Sequence, residues 1–294
     1  MKKTIIPILF STMIIVGCGK EKQPEPEPTP TMSPVDIVDG AIEAPFSVGN
    51  GKVVYFSQGY LQYNAAIDTW RFAEEQYEVR GEENTNRSAT YNGWIDLFAW
   101  GTSGYNGCNP YLLSNDYHDY PNIQGGISET NYDWGVYNAI SNGGNETGIW
   151  RTLTEPEWRK LLNRFDKYNK PLDYFVTLNR VNGTLLLPDN FDRENPHIGL
   201  YDYMSISNRW SDLQKYGAVF LPRCGCVYRS SYDGTVKYDD SGFREGVWTS
   251  TQNNQNSALN AWFLSFGESG RLSLDGNYGY LYYGHAVRLV KDKQ

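Results

Sequence analysis

Histidine and cysteine are scarce in this 294-residue chain, with three and four copies respectively. Sites built from several imidazoles or thiolates therefore have few positions to draw on. No His-Glu-x-x-His, Gly-x-Ser-x-Gly or Gly-x-x-x-x-Gly-Lys-Ser/Thr segment occurs, so zinc-peptidase, serine-esterase and P-loop chemistry lose their usual sequence supports. Positive charge is also short. Against 34 Asp and Glu stand 26 Lys and Arg, a formal net charge of −8. A nucleic-acid partner is not expected, because a phosphate backbone attracts a surface of the opposite sign.

Aromatic residues are abundant instead. Twenty-three Tyr, 12 Phe and 9 Trp make up 15% of the chain. So many rings are incompatible with a disordered polymer, and the length suffices for a substantial core. Tyr outnumbers Phe, which points to rings whose hydroxyls stay wet or hydrogen-bonded.

Residues 1–17 read as an export signal: Lys2 and Lys3 precede an apolar run from Ile5 to Val16 that is shorter than the roughly 20 residues of a membrane-spanning helix. The segment Ile15-Val16-Gly17-Cys18 resembles the bacterial lipobox, which implies cleavage before Cys18 and acylation of that residue. An ordinary signal peptide with an incidental cysteine is the alternative. Removing residues 1–17 takes away two of the 26 positive charges and no negative ones, leaving 24 − 34 = −10. Residues 18–37 then form a tether, since alternating Pro and Glu from Pro24 to Pro30 favours extended polyproline II chain.

No second linker or repeat interrupts the remainder, so residues 38–294 are expected to form one domain. Short strands are predicted at 52–57, 60–63, 69–73, 184–187, 218–221, 224–229, 246–250, 261–266, 271–274 and 285–290, with a long Asn/Gly/Tyr-rich loop over 81–148. A helix is predicted from Thr154 to about Tyr168. Thr154 and Glu157 make a capping box, Pro156 lies in the first turn, and Trp158, Leu161, Leu162 and Phe165 follow the helical stripe. A second helix over 208–216 is expected to be capped by Ser207 and ended by Gly217. The fold class is α+β, with antiparallel strands, two main helices and long loops.

Several blocks carry a resemblance. Trp150-Arg151-Thr152-Leu153-Thr154-Glu155-Pro156-Glu157-Trp158 is similar to a signature of formylglycine-generating-enzyme-like domains, members of the C-type-lectin-like superfamily. Gly217-Ala218-Val219-Phe220-Leu221-Pro222, Gly246-Val247-Trp248-Thr249-Ser250-Thr251 and Gly284-His285-Ala286-Val287-Arg288-Leu289-Val290 resemble blocks of a related group of Bacteroidota surface lipoproteins. So do Phe56–Tyr63 and Trp94–Thr102. The resemblance spans about 52–290 and implies a C-type-lectin-like fold of the formylglycine-generating-enzyme type. It also implies an outer-membrane lipoprotein, facing the cell surface or the periplasm. Trp158, Trp248 and Trp262 are expected in the core, and Arg288 is expected to pair with a carboxylate.

The enzymes that name the family hold copper on two cysteines, and Cys224-Gly225-Cys226 would place two thiols on one face of a strand. The spacing differs from theirs and the preceding Gly-Gly-Ser is absent, so no catalytic residue is assigned. A copper-thiolate oxidase or a hydrolase stays the enzymatic alternative, and a structural subunit of a surface assembly is a third. In an exported protein Cys108 could instead form a disulfide with Cys224 or Cys226. No cofactor or metal ligand is assigned; Asp189, Asp192 and Glu194 offer oxygens for calcium, and His118 lies among Asn115, Asp116 and Asp119 in a polar turn. The favoured function is non-catalytic binding or adhesion, with a glycan or a surface protein as ligand. The expected contacts are Asn277, Tyr278, Tyr280 and Tyr282, three rings on one face if the tract is extended; packing beneath loops of the same domain is the alternative.

Overall fold

A computed structural model describes residues 33–193, 199–242, 245–253, 260–266, 272–274 and 278–293. Cys18, the signal and most of the tether lie outside the described residues, as do Glu194, His197 and Asn277. The structure is α+β, with mostly antiparallel sheets and few short helices.

The first sheet has the order Ile37–Val38, Ala41–Gly49, Lys52–Ser57, Leu289–Asp292, Arg151–Thr152, all antiparallel. Its inward residues Ile42, Phe46, Val54, Phe56 and Val290 are buried. The helix Glu155–Leu162 packs on the Ala41–Gly49 strand. Its capping box forms as the sequence implies: Thr154 Oγ1 accepts from Glu157 N, and Glu157 Oε2 accepts from Thr154 N at 2.9 Å. The buried Trp158 ring lies 5.8 Å from that of Phe56. Truncation of such a ring in a closed core costs about 3–5 kcal/mol.

This helix is shorter than its apolar stripe suggests. It stops at Leu162, and Phe165 is 57% exposed rather than inward. A local side chain wins over periodicity here. Asp166 Oδ1 accepts the backbone N–H groups of Tyr168 and Lys170, while Asp166 N bonds Lys170 O, so the chain closes into a turn.

A four-stranded sheet follows in the order Met204–Ser205, Asp173–Leu178, Val181–Leu186, Val219–Pro222, with its first pair parallel. It separates two cores. Leu185 and Phe220 face a smaller cluster closed by Trp210 and Leu213 of the helix Trp210–Lys215, whereas Leu186, Val219 and Leu221 join the main core. Ser207 does not cap that helix: it begins a 3-10 turn, and its hydroxyl accepts from Asn179 N instead. Gly217 ends the helix with φ +81°, where an added Cβ would strike Ala44.

The third sheet runs Leu272–Ser273, Asn260–Phe266, Gly246–Gln252, His285–Ala286, Leu97–Phe98, and Tyr278–Tyr280 also pairs with Asn260–Phe266. Two hairpins complete the framework: Leu61–Asn64 with Thr69–Phe72, and Cys226–Arg229 with Val236–Asp239. Residues 285–290 are not one strand. His285–Ala286 belongs to the third sheet and Leu289–Asp292 to the first, so the chain crosses between them at Val287 and Arg288. The long loop over 81–148 holds 3-10 turns, the short strand Leu97–Phe98 and one helical turn, Trp134–Tyr137. Asp133 caps that turn and accepts Thr152 N and Oγ1, both at 2.9 Å, which ties the loop to the first sheet.

Candidate ligand-binding site

The Asn260–Phe266 and Tyr278–Tyr280 strands pair with Asn260 opposite Tyr280 and Trp262 opposite Tyr278. Directly opposed residues share a sheet face, so Trp262, Tyr278 and Tyr280 point one way while Ala261, Phe263 and Gly279 point the other. On the inner side Phe263 stacks on His285 at 4.5 Å. A Cβ at Gly279 would lie 3.2 Å from the Phe263 ring and 3.3 Å from His285, so glycine lets this edge strand lie close against both rings.

On the outer side Tyr278 and Tyr280 are 40% and 44% exposed. The strand ends at Tyr280, where Tyr283 N donates to Tyr280 O at 3.0 Å and turns the chain. Tyr282 consequently does not reach this face by strand alternation. The turn folds it back, and its ring stacks on Tyr280 with centroids 4.9 Å apart and planes within 6°. Tyr283 lies edge-on to both, and Tyr228 from the neighbouring hairpin stands 6.3 Å from Tyr283. At the other end Trp262 contacts Tyr278 edge to face at 6.3 Å, and the Arg159 guanidinium, which also pairs with Glu155, sits 5.8 Å over the Trp262 ring. The result is a ledge of tyrosines running to a tryptophan and then to the helix Glu155–Leu162.

Of the residues expected here, Tyr278, Tyr280 and Tyr282 come together. Trp262, Tyr228 and Tyr283 were not anticipated. Trp262 is half-buried and turned outward, not in the core, whereas Trp248 and Trp158 are fully buried as expected. Its apolar neighbours suggested burial on both faces, and only the register against Tyr278 reveals that its own face carries the ledge.

No disulfide joins Cys108, Cys224 and Cys226 in the structure. Cys108 turns its Sγ toward Asp119 O at 3.7 Å, while Cys224 is sealed in the main core. Nor do Cys224 and Cys226 follow strand alternation, because Gly225 has φ +70° and the strand begins only at Cys226. Burial, reinforced by Asp96 and Glu245, holds the Cys224 thiol well above its ordinary pKa and keeps it protonated and unreactive.

Arg288 is fully buried and has no carboxylate partner among the described residues. Its Nη2 donates to Gln76 Oε1 at 3.1 Å, its Nη1 approaches Phe220 O at 3.4 Å, and the guanidinium lies 5.9 Å over the Tyr60 ring. The expected ion pair is replaced by neutral acceptors, and burial draws the pKa down to about 9. Asp96 and Asp133 are buried carboxyls pushed up to about 6 by desolvation, against the donors that surround them. These groups bind backbone to backbone and have the character of scaffold.

The polar clusters are likewise committed. Asp189 Oδ1 holds Arg164 at 2.6 Å and its Oδ2 accepts from Ser47 N and Oγ, so its oxygens tie the Ala41–Gly49 strand to the turn after the helix Glu155–Leu162. His118 Nδ1 contacts Asp116 Oδ1 at 2.8 Å in an exposed turn. Among the described residues no three His, Cys, Asp or Glu side chains gather as metal ligands. No described helix is long and apolar enough to cross a membrane. Comparison with protein-family models, curated proteins and solved structures finds no match for this chain.

Proposed function

We propose that this chain is a lipid-anchored envelope protein whose C-type-lectin-like domain, of the formylglycine-generating-enzyme type, binds glycan without catalysis. The observation that carries the reading is the ledge in which a sheet edge presents the exposed rings of Tyr278 and Tyr280 beside the half-buried Tyr282 and Trp262. Aromatic faces stack on the C–H faces of sugars. Pyranoses with equatorial hydroxyls offer such faces flat on both sides, so β-linked glucose oligomers suit the ledge.

Support for the fold comes from the antiparallel sheets, the capped helix carrying the Thr154-Glu155-Pro156-Glu157-Trp158 block, and the long loop between them. A binding role fits the sealed state of Cys224 and the scaffold role of Arg288 better than thiolate chemistry does.

The test is a glycan array followed by titration monitored through tryptophan fluorescence. Binding of β-glucans is expected, and Tyr280→Ala should weaken it about tenfold, the order of one lost aromatic contact plus its buried area. Absence of glycan binding, or full binding by Tyr280→Ala, would remove the ledge from the reading. Mass spectrometry of the mature N-terminus tests the anchor: diacyl or triacyl Cys18 is expected, and a chain without acyl groups would refute it.

A further inference from the structure

The opposite shoulder of the helix Glu155–Leu162 borders a cleft of about 550 Å³, lined by side chains of quite different character from the ledge. Its charged walls are Lys52, Arg151 and Lys160 against Glu129, Glu157 and Asp292. Three cations meet three anions, so the site carries no net charge and has no preference for a free ion of either sign.

Its central group is rigid. Arg151 donates to both Glu157 oxygens at 2.9 Å, and its Nη2 reaches Asp292 Oδ1 at 2.7 Å. Both forks of the guanidinium are thereby fixed; Glu157 is saturated by four donors, while the more exposed Asp292 faces solvent and can accept from a ligand. No aromatic ring lines the cleft, so it offers no stacking surface. Dense donors and acceptors without net charge or flat apolar walls suit the hydroxyl edges of a neutral polyol. The cleft and the ledge therefore complement the two aspects of one molecule, hydroxyl edge and C–H face.

The two sites share the helix. Pro156 and Lys160 line the cleft, and Arg159 lies over Trp262 at the end of the ledge. Residues three and four apart are neighbours on a helix surface, so Pro156, Arg159 and Lys160 form one continuous strip. From shoulder to shoulder the path is about one helix diameter, roughly 10 Å.

Resting on the ledge as a glycan site, we infer that the cleft is a second subsite for the same neutral oligosaccharide. A chain stacked on the ledge crosses the helix over Arg159, and its far units hydrogen-bond between Lys52 and Glu129. Short oligosaccharides occupy the ledge alone, so affinity grows with length until the cleft is filled.

Calorimetric titration of the full chain with cellobiose and cellohexaose tests this, using Lys52→Ala, Glu129→Gln and Tyr280→Ala. Lys52 and Glu129 are exposed, and unchanged thermal unfolding of their variants serves as the folding control. Cellohexaose is expected to bind wild type more tightly than cellobiose. Lys52→Ala and Glu129→Gln should each weaken cellohexaose about tenfold, the order of one charge-assisted hydrogen bond, and leave cellobiose unchanged. Equal affinities for the two sugars, both lost in Tyr280→Ala and indifferent to the cleft variants, would overturn the second subsite and leave the ledge standing. If neither sugar binds, the ledge itself is refuted and the cleft subsite falls with it.

Discussion

Glu157 makes four hydrogen bonds from one half-buried carboxylate, and its removal gives a quantitative test of how the helix is held. Its Oε2 accepts from Thr154 N at 2.9 Å and Thr154 Oγ1 at 3.0 Å, and its two oxygens receive Arg151 Nη1 and Nη2. The side chains of Arg151 and Glu157 are only 13% and 12% exposed, so water screens the pair poorly. In Glu157→Ala the capping interaction is lost at about 1 kcal/mol. Arg151 retains the more exposed Asp292, so loss of its bidentate partner adds about 2 kcal/mol, the middle of the range for charge-assisted bonds. The expected total is about 3 kcal/mol, read as a lower urea midpoint with an unchanged slope and a fall in Tm of several degrees. A double-mutant cycle of Arg151→Met with Glu157→Gln isolates the pair, and a coupling of about 1–3 kcal/mol is expected. The acid limb gives an independent check. Burial raises the Glu157 pKa, but Arg151 and Thr154 outweigh it and bring it below the ordinary Glu value. Its stabilisation is therefore present above pH 4.5 and is lost as pH falls through the lowered folded value; in Glu157→Gln that loss disappears. Additive single mutants, or an acid limb identical in wild type and Glu157→Gln, would refute the account.

Asp133 and Asp96 titrate with the opposite sign. Each folded pKa lies near 6 against an ordinary 3.8, so their contribution is complete below pH 3.8 and is lost as pH rises to about 6. For Asp133→Asn, stability measured by urea between pH 4 and 6 should decline less than in wild type; an identical slope would exclude Asp133 as its source. Native alkylation followed by peptide mass spectrometry should leave Cys224 and Cys226 unmodified, whereas in denaturant without reductant Cys108, Cys224 and Cys226 should all label. Any of the three that labels only after reduction would show a disulfide that the structure lacks. Trp158→Ala should cost about 3–5 kcal/mol, since its ring is wholly buried against Phe56; a loss below about 1 kcal/mol would mean that the core collapses around the gap.

Local chemistry was the readable part of this sequence. The capping box, the Lys52–Ser57 strand and the Gly217 helix end depend on residues within a few positions of one another, and all are found as expected. Most of what failed depends on partners far along the chain, with Phe165 the local exception. Phe165 followed the stripe but was released when Asp166 closed a turn. Ser207 looked like a cap until Asn179 claimed its hydroxyl. Arg288 suggested an ion pair, but Gln76, 212 positions away, meets it with a neutral oxygen. The ledge was half legible for the same reason: Tyr278 and Tyr280 announce themselves by alternation, while Trp262, Tyr228 and Tyr283 join through strand register and a turn.

The crossing at Val287 and Arg288 has a consequence for how the molecule comes into being. Leu289–Asp292 is not an edge strand; it lies between Lys52–Ser57 and Arg151–Thr152. A chain emerging amino end first thus has a gap in its first sheet until Leu289–Asp292 appears, and the pieces on either side of that gap cannot join. Completion waits for that strand, and the contacts it makes span more than two hundred residues, so the first sheet stays open until Leu289–Asp292 emerges and its closure is slow. Truncation before Leu289 would leave an unclosed sheet instead of a slightly shortened domain.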